Sequence, residues 1–518
     1  MKKLMKKLWL IPLAGALLLS ACGSDDTGGD AADGDGEPTI LRVANGADPV
    51  TFDIQATNDQ ATTRIAKQIY ETLIVQTPDL ELEPGLATEW EEVEENLYEF
   101  KLREDVTFHN GEPFTADDVE FTLRRAVDSP TIGHIVGSID PDTIEVVDDY
   151  TIRVGTSDTF GPFITHLAHP AVAILNREAV EEAGEDYGVT TATGTGAFKF
   201  DEWVTGSKVV TSRYEDYWGE APSLDGIEFS TVADPSVRLI EAESDAVDIA
   251  YDISPSDLDA VEENEELTLF NTPNLGSEYL GFNLKNDTPL QDVEVRKAIS
   301  HAIDVESIID TVYMGVGEQM SGPINELVFG YNDELEPIEY DPEAAKDLLA
   351  DAGYSEGDIT LSLYVGDNSQ ERIRVSQVVS EALSEIGINV EVTQMEWGSY
   401  LDATAVGEAD MFLLGWTTVT TDADYGLYPL FHSNSFGEAG NRSFYANDRV
   451  DELLDLGRYT TDQAEREEYY GEVQEIIHDE LPWVFLQTRQ NVTAVNNRVN
   501  GFEHHPMGSY DLTEITLD

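Results

Sequence analysis

The sequence predicts an α/β protein in which mixed β-sheets are flanked by helices. Short stretches of alternating apolar residues recur between longer stretches with helical spacing. Apolar residues make up 41% and aromatics 9% of 518 residues, enough for large cores. No segment repeats at a fixed period, so a solenoid is excluded, and a chain of this length divides into two or three domains.

The elements follow in order. Thr39 to Ala44 reads as the first strand, and Ala61 to Val75 has helical spacing through Ile65, Ile69 and Leu73. Leu97 to Leu102 alternates as a half-buried strand. Thr115 opens a helix as N-cap, with Asp117 and Asp118 on its positive end. Ile144–Val147 and Thr151–Val154 form a hairpin around Asp148-Asp149-Tyr150. Asp341-Pro342 starts a helix through Ala350, closed by Gly353. Arg372 to Ile386 is an amphipathic helix ended by Gly387, and Asn389 to Gln394 is the strand after it. Asp462 to His478 is a long helix, followed by a strand over Trp483 to Gln487.

The N-terminus carries an export signal over residues 1–21. Lys2, Lys3, Lys6 and Lys7 are its positive segment, and Leu8 to Leu19 is apolar but shorter than the roughly twenty residues of a bilayer span. Leu19-Ser20-Ala21-Cys22 then resembles the lipobox of bacterial lipoproteins, which implies acylation of the Cys22 thiol and a membrane anchor on the extracytoplasmic face. Residues 22–37 are mostly Gly, Asp and Ala and read as a flexible, self-repelling tether. Cys22 is the single cysteine, so no disulfide forms and packing must carry stability.

Without the four signal lysines, 25 basic side chains face 103 acidic ones, a net charge of −78. The acids are spread along the chain rather than gathered toward one basic partner, which fits a protein bathed in brine outside the cell. Nucleic acid is excluded as a partner, because nothing here neutralises phosphates.

Several ordered motifs match one family. Glu83-Pro84-Gly85-Leu86-Ala87-Thr88-Glu89-Trp90 precedes Tyr98 to Arg103, then Val106-Thr107-Phe108-His109-Asn110-Gly111-Glu112-Pro113-Phe114-Thr115-Ala116-Asp117-Asp118-Val119. Gly194-Thr195-Gly196-Ala197-Phe198-Lys199, Arg213 to Gly219, Val295 to Ser300, Tyr340 to Ala345 and Glu396 to Leu401 follow in register. From about residue 39 onward the chain resembles the family 5 solute-binding proteins, the dipeptide, oligopeptide and nickel receptors of ABC importers. The resemblance implies a two-lobed, periplasmic-binding-protein-like fold of class II with an extra subdomain in the N-lobe. It assigns 38–80, 193–281 and 492–518 to lobe I, 81–192 to the extra subdomain and 282–491 to lobe II. The strand Tyr279 to Leu284, running into Lys285-Asn286-Asp287, fits a crossing between lobes near residue 281.

The resemblance also implies a monomeric receptor, no enzyme and no cofactor, that hands a small peptide or glutathione to a permease pair with its ATPases. Such a site needs an acid for the ligand amine and an arginine for its carboxylate. The dipeptide receptors carry an aspartate three residues after a Gly-Trp pair. Here Gly415-Trp416 is followed at that place by Val419, so Asp422 is the first candidate for the amine and Asp424 the second. Alignment places Arg374 at the carboxylate position, with Arg372 nearby on another helix face; Thr417 supplies a hydroxyl, and Tyr279, Trp416 and Tyr425 are stacking walls. The block Gly415 to His432 with Arg442 looks like the branch labelled glutathione-binding, in which Arg442 would meet a second carboxylate. Rival readings are a nickel or haem-type cargo and an extracellular hydrolase working with a carboxylate pair. The nine histidines fall in no HExxH pattern and no Gly-x-Ser-x-Gly elbow is present; His166 and His169, three apart, share a helical face, and no metal site is expected.

The charge balance makes one prediction. Molar salt shortens the Debye length to about 3 Å and screens the self-repulsion. The melting temperature of the mature chain should therefore climb steeply between about 0.1 and 1 M NaCl; a flat response would refute the brine reading.

Overall fold

The computed structural model describes residues 38–518, apart from Asn58 and the Ala439 side chain. The export signal, the tether and Cys22 lie outside the described residues. Among the described residues no helix is long and apolar enough to cross a membrane.

Two lobes share one eleven-stranded mixed sheet. Its lobe II half holds, from the edge inward, Ile388–Met395, Ile359–Gly366 and Met411–Thr417; its lobe I half holds Ile249–Tyr251, Ile40–Asn45, Gly226–Thr231, Lys208–Arg213 and Phe198–Val204. Between these halves run two long antiparallel strands, Leu267–Phe282 and Trp483–Asn496, each with one end in each lobe. Leu267–Pro273 pairs with Gln490–Asn496, and Ser277–Gly281 with Trp483–Thr488. The register breaks over Asn274–Gly276, upstream of the crossing expected near residue 281. A break there gives the lobes a place to pivot without losing the ladders on either side. The strand expected to end at Gln487 runs on to Asn496, because the polar stretch Thr488 to Asn491 is the crossing itself.

A separate four-stranded antiparallel sheet, Ala87–Glu94, Leu97–Leu102, Thr151–Gly155 and Glu145–Asp148, builds the extra subdomain. The helix Ala116–Val127 covers it, and its start follows from sequence: Asp118 accepts from the Thr115 amide at 3.1 Å, closing the capping box. Buried residues from Leu73 to Ile174 form one core here. Lobe I has its own core, completed by the tail residues Phe502, Tyr510, Leu512 and Ile515, and lobe II packs around Leu280, Val375 and Leu413.

The first helix is Gln60–Ile69, shorter than the expected run to Val75. It stops because Tyr70 is extended (φ −120°, ψ 150°) and the next residue is captured: the Glu71 carboxylate accepts from Thr195, Tyr217 and Trp218 at 2.7, 3.0 and 2.9 Å. Burial raises the Glu71 pKa, which those three donors oppose. The Gly194-Thr195-Gly196 motif crosses this helix end. A Cβ on Gly194 would sit 2.0 Å from the Ile69 carbonyl oxygen, and the Gly196 amide donates to that same oxygen at 2.9 Å. The motif is glycine because backbone passes over backbone.

His109 clamps the crossing. Its Nε2–H donates to the Gly196 carbonyl at 2.8 Å, and its Nδ1 accepts from the Gly194 amide at 3.3 Å, an arrangement only the neutral ring allows. Burial, more than the opposing hydrogen bond to Gly196, holds its pKa down to about 4. The unfolded ring therefore takes a proton first, near the ordinary 6.5, and stability is lost as pH falls from there toward 4. Denaturant melts at constant high salt should show wild type losing stability relative to His109→Gln across that window. Parallel curves would remove His109 from the clamp.

Candidate functional site

The site is built where the shared sheet meets the lobe II loop after Met411–Thr417. The apolar residues Met411 to Leu414 are buried between neighbouring strands, and the strand emerges at Gly415-Trp416-Thr417, paired with Gly276, Ser277 and Glu278. The chain then turns tightly, with Thr421 in the left-handed region (φ 58°), into the helix Ala423–Phe431. Asp422 caps that helix, accepting from the Asp424 amide at 2.9 Å.

Both candidate acids are held by arginines of lobe II. Asp422 receives Arg466 Nη2 at 2.7 Å and Nη1 at 3.0 Å, and the pair is almost fully buried. Asp424 receives Arg458 Nε and Nη2, both at 2.8 Å, while that guanidinium lies 3.4 Å over the Tyr428 ring. Two aspartates opening one helix would repel each other; the two arginines and the positive helix end make the arrangement stable.

Trp416 and Tyr425 form the aromatic wall, ring centres 5.4 Å apart, with the indole N–H donating to the Tyr425 carbonyl at 3.0 Å. Burial pushes the Tyr425 phenol up to about 12. With Asp424, and with His134, Ser138 and His166 of the extra subdomain, they border a cavity of about 550 Å³ between that subdomain and lobe II. His166 donates from Nδ1 to the Ile135 carbonyl at 2.6 Å, and His169 accepts from the Ala171 amide, so each of these two rings has a structural partner. On the lobe I side, Thr57, Thr63, Lys67, His169, His505 and Ser509 line a narrower void of about 50 Å³, room for a few waters. Gln76 joins the two regions: its amide donates to Thr421 Oγ1 at 2.6 Å, and its carbonyl accepts from His505 at 3.1 Å.

Arg372, at the first turn of the helix Gln370–Glu385, is buried against Glu278 of the crossing strand, with Nε and Nη2 at 2.8 and 2.9 Å from its carboxylate. Arg489 of the other crossing strand binds the same carboxylate at 2.5 Å and lies 3.5 Å from Thr417 Oγ1. Burial pushes the Glu278 pKa up, but the charges of Arg489 and Arg372 outweigh it and hold the carboxyl below its usual range.

The structure thus gathers Arg372, Trp416, Thr417, Asp422, Asp424 and Tyr425 around one turn. Three expected residues stand elsewhere. Arg374 is exposed on the helix that begins with Arg372. Arg442 donates to the Leu401 carbonyl at 2.5 Å and Thr404 Oγ1 at 2.7 Å, bracing a helix. Tyr279 is 2% exposed, its ring stacked on Trp483 at 3.5 Å, which leaves no face for a ligand. Sequence reasoning missed Glu278, Arg489, Lys67 and Gln76. A basic residue inside the otherwise buried strand Trp483–Asn496, in a chain so poor in basic residues, was the available signal for Arg489.

Comparison with known proteins decides the family. Residues 81–438 match the bacterial extracellular solute-binding proteins, family 5 (middle). The chain is a family 5 extracellular solute-binding protein. It is 30% identical over 486 residues to the glutathione-binding protein GsiB of Pectobacterium atrosepticum, covering 92% of this chain and 93% of that one. The dipeptide-binding protein of Escherichia coli is 28% identical over 501 residues, 91% and 92% of the two chains. The ABC transporter-associated periplasmic binding protein DppA of Helicobacter pylori, solved with the peptide STSA, superposes with a TM-score of 0.77 at 28% identity, covering 93% and 98%. The first two are named for the solutes they bind and the third as an ABC transporter-associated periplasmic binding protein, with which the two-lobed fold agrees.

In this family 5 binding protein the extra subdomain meets lobe II at Gly161. Its amide donates to the Arg458 carbonyl at 2.9 Å, and a Cβ there would lie 2.3 Å from the Thr460 carbonyl oxygen and 2.7 Å from Arg466 Nε. Gly161→Ala should wedge that contact open while leaving each core intact. We expect about tenfold weaker ligand binding, equal to about 1.4 kcal/mol, and a larger radius of gyration in solution scattering. Unchanged values for both would show that the contact plays no part in closure.

Proposed function

We propose that this family 5 binding protein captures a small peptide, of dipeptide to oligopeptide length or glutathione, between its lobes and delivers it to an ABC permease pair with its ATPases. It acts as a monomer on the extracytoplasmic face, held to the membrane through lipid on Cys22. The observation that carries the peptide reading is the polar, charged boundary at Gly415–Tyr425: an aromatic pair, hydroxyls, an acid bordering the cavity and an arginine cluster together match a zwitterion carrying amide groups. For the ligand ammonium, Asp424 is the better placed of the two acids: each is held by an arginine, Asp424 by Arg458 and Asp422 by Arg466, but only Asp424 borders the cavity. The names of relatives that bind glutathione, dipeptide and a tetrapeptide support the same cargo class.

Ligand that binds only the folded state raises its stability by mass action, about 2.7 kcal/mol at a hundred times Kd. Purified protein at high salt should therefore melt higher with at least one of glutathione or a panel of di-, tri- and tetrapeptides. Nickel chelates and haem should leave the melting temperature unchanged. A shift with haem or nickel alone would replace the peptide reading with the rival cargo, and cleavage of any panel peptide would favour a hydrolase.

A further inference from the structure

The geometry points to Arg489 as the anchor for a ligand carboxylate, placed at the break between the two crossing strands. The inference rests on the peptide reading above and names the residue that reads the acidic end of the cargo. Where the register shifts, Pro273 opposes Gln490 and Ser277 opposes Thr488, so Asn274, Leu275 and Gly276 share a single opposite residue, Arg489. Its side chain runs between two glycines of neighbouring strands. A Cβ on Gly276 would lie 2.8 Å from Arg489 Cδ, and one on Gly415 would lie 2.1 Å from its Nη2. Neither glycine has positive φ, so both are required for the space they leave rather than for their backbone freedom.

The charge count is uneven. Glu278 is one carboxylate serving two guanidinium groups, Arg372 through Nε and Nη2 and Arg489 through Nε. Arg372 and Glu278 are buried, so the cluster holds one positive charge in excess beside the hinge. Arg489 is its accessible member, with the side chain about one-third exposed. Nη1 has the Thr417 hydroxyl at 3.5 Å, and among the described residues neither Nη1 nor Nη2 meets a carboxylate. That leaves the outer edge of a rigid fork next to a hydroxyl, a shape that fits two parallel hydrogen bonds to a carboxylate. Asp248 is likewise shared, by Arg42 and Arg498, but only at Glu278 does one of the two arginines stand at the register break between the lobes, where an anion from outside matches the excess charge. Because Arg489 stands where the register of the two strands shifts, an anion held there also ties the ligand to the pivot.

The test uses the full mature chain at high salt and measures binding of tri-alanine, tri-alanine amide and glutathione by calorimetry. Wild type should bind tri-alanine at least tenfold more tightly than its amide. Arg489→Ala leaves Arg372 and Glu278 as a neutral pair; it should bind the acid at least tenfold more weakly and lose the preference for acid over amide. Arg489→Lys, which keeps charge but not the fork, should fall between, and Arg374→Ala should match wild type. If Arg489→Ala does not fold, the lysine variant and the acid-to-amide ratio of wild type still decide. Equal binding of acid and amide by wild type overturns the anchor and leaves the peptide reading standing. An acid preference that survives in Arg489→Ala overturns it as well, and no binding of any of the three probes overturns both.

Discussion

Antiparallel pairing of Leu267–Phe282 with Trp483–Asn496 is the constraint on which the rest of the molecule depends. Each strand spends one half in each lobe, so the two sheets are one hydrogen-bonded surface and cannot drift apart. A continuous ladder would be rigid; three residues set against one relieve that rigidity, with a smaller shift just beyond, between Glu278 and Tyr279. The candidate site lies on this seam, where the Met411–Thr417 strand leaves the lobe II core beside the break. Rigid elements on both sides then carry their side chains as units when the angle between them changes.

The second organising fact is how the few cations are used. A net charge of −74 leaves basic side chains scarce, yet many are buried or half-buried rather than spread over the surface. Arg42 and Arg498 share Asp248, Arg64 holds Asp252, and Arg458 and Arg466 hold Asp424 and Asp422. Removing one partner of the most buried of these, Arg466 with Asp422, leaves an uncompensated charge and costs about 3–5 kcal/mol. Other arginines pair with exposed acids, as Arg177 does with Glu181 and Arg449 with Glu452 and Glu472. Asp248 and Glu278 are each shared by two arginines, and of the two only Glu278 lies beside the register break of the crossing strands.

Much of the fold was legible because local signals agree with tertiary structure. Thr115 with Asp118, Asp341 before Pro342, and the Asp148–Tyr150 hairpin appear where their chemistry places them. The family motifs are explained by packing rather than by ligand: Gly194 and Gly196 by backbone crossing, His109 by holding that crossing, Trp218 by binding Glu71. The site was legible only in part. Gly415-Trp416 and the loop to Tyr425 were found from sequence because they are contiguous. Glu278 and Arg489 were not, since they meet through strand pairing between positions far apart in the chain. Arg372 and Arg374 differ by two positions on a helix, so one faces the hinge and the other faces water; no local pattern says which.

The order of strands has a consequence for how the protein is made. Ile249–Tyr251 and the first half of Leu267–Phe282 belong to the same lobe yet never touch, because Trp483–Asn496 is inserted between them. A nascent chain that has delivered every earlier strand of lobe I still holds an open gap in the middle of its sheet. That gap persists until lobe II has been synthesised. Assembly of the first lobe is thus postponed to the end of translation, whatever order its other strands pair in.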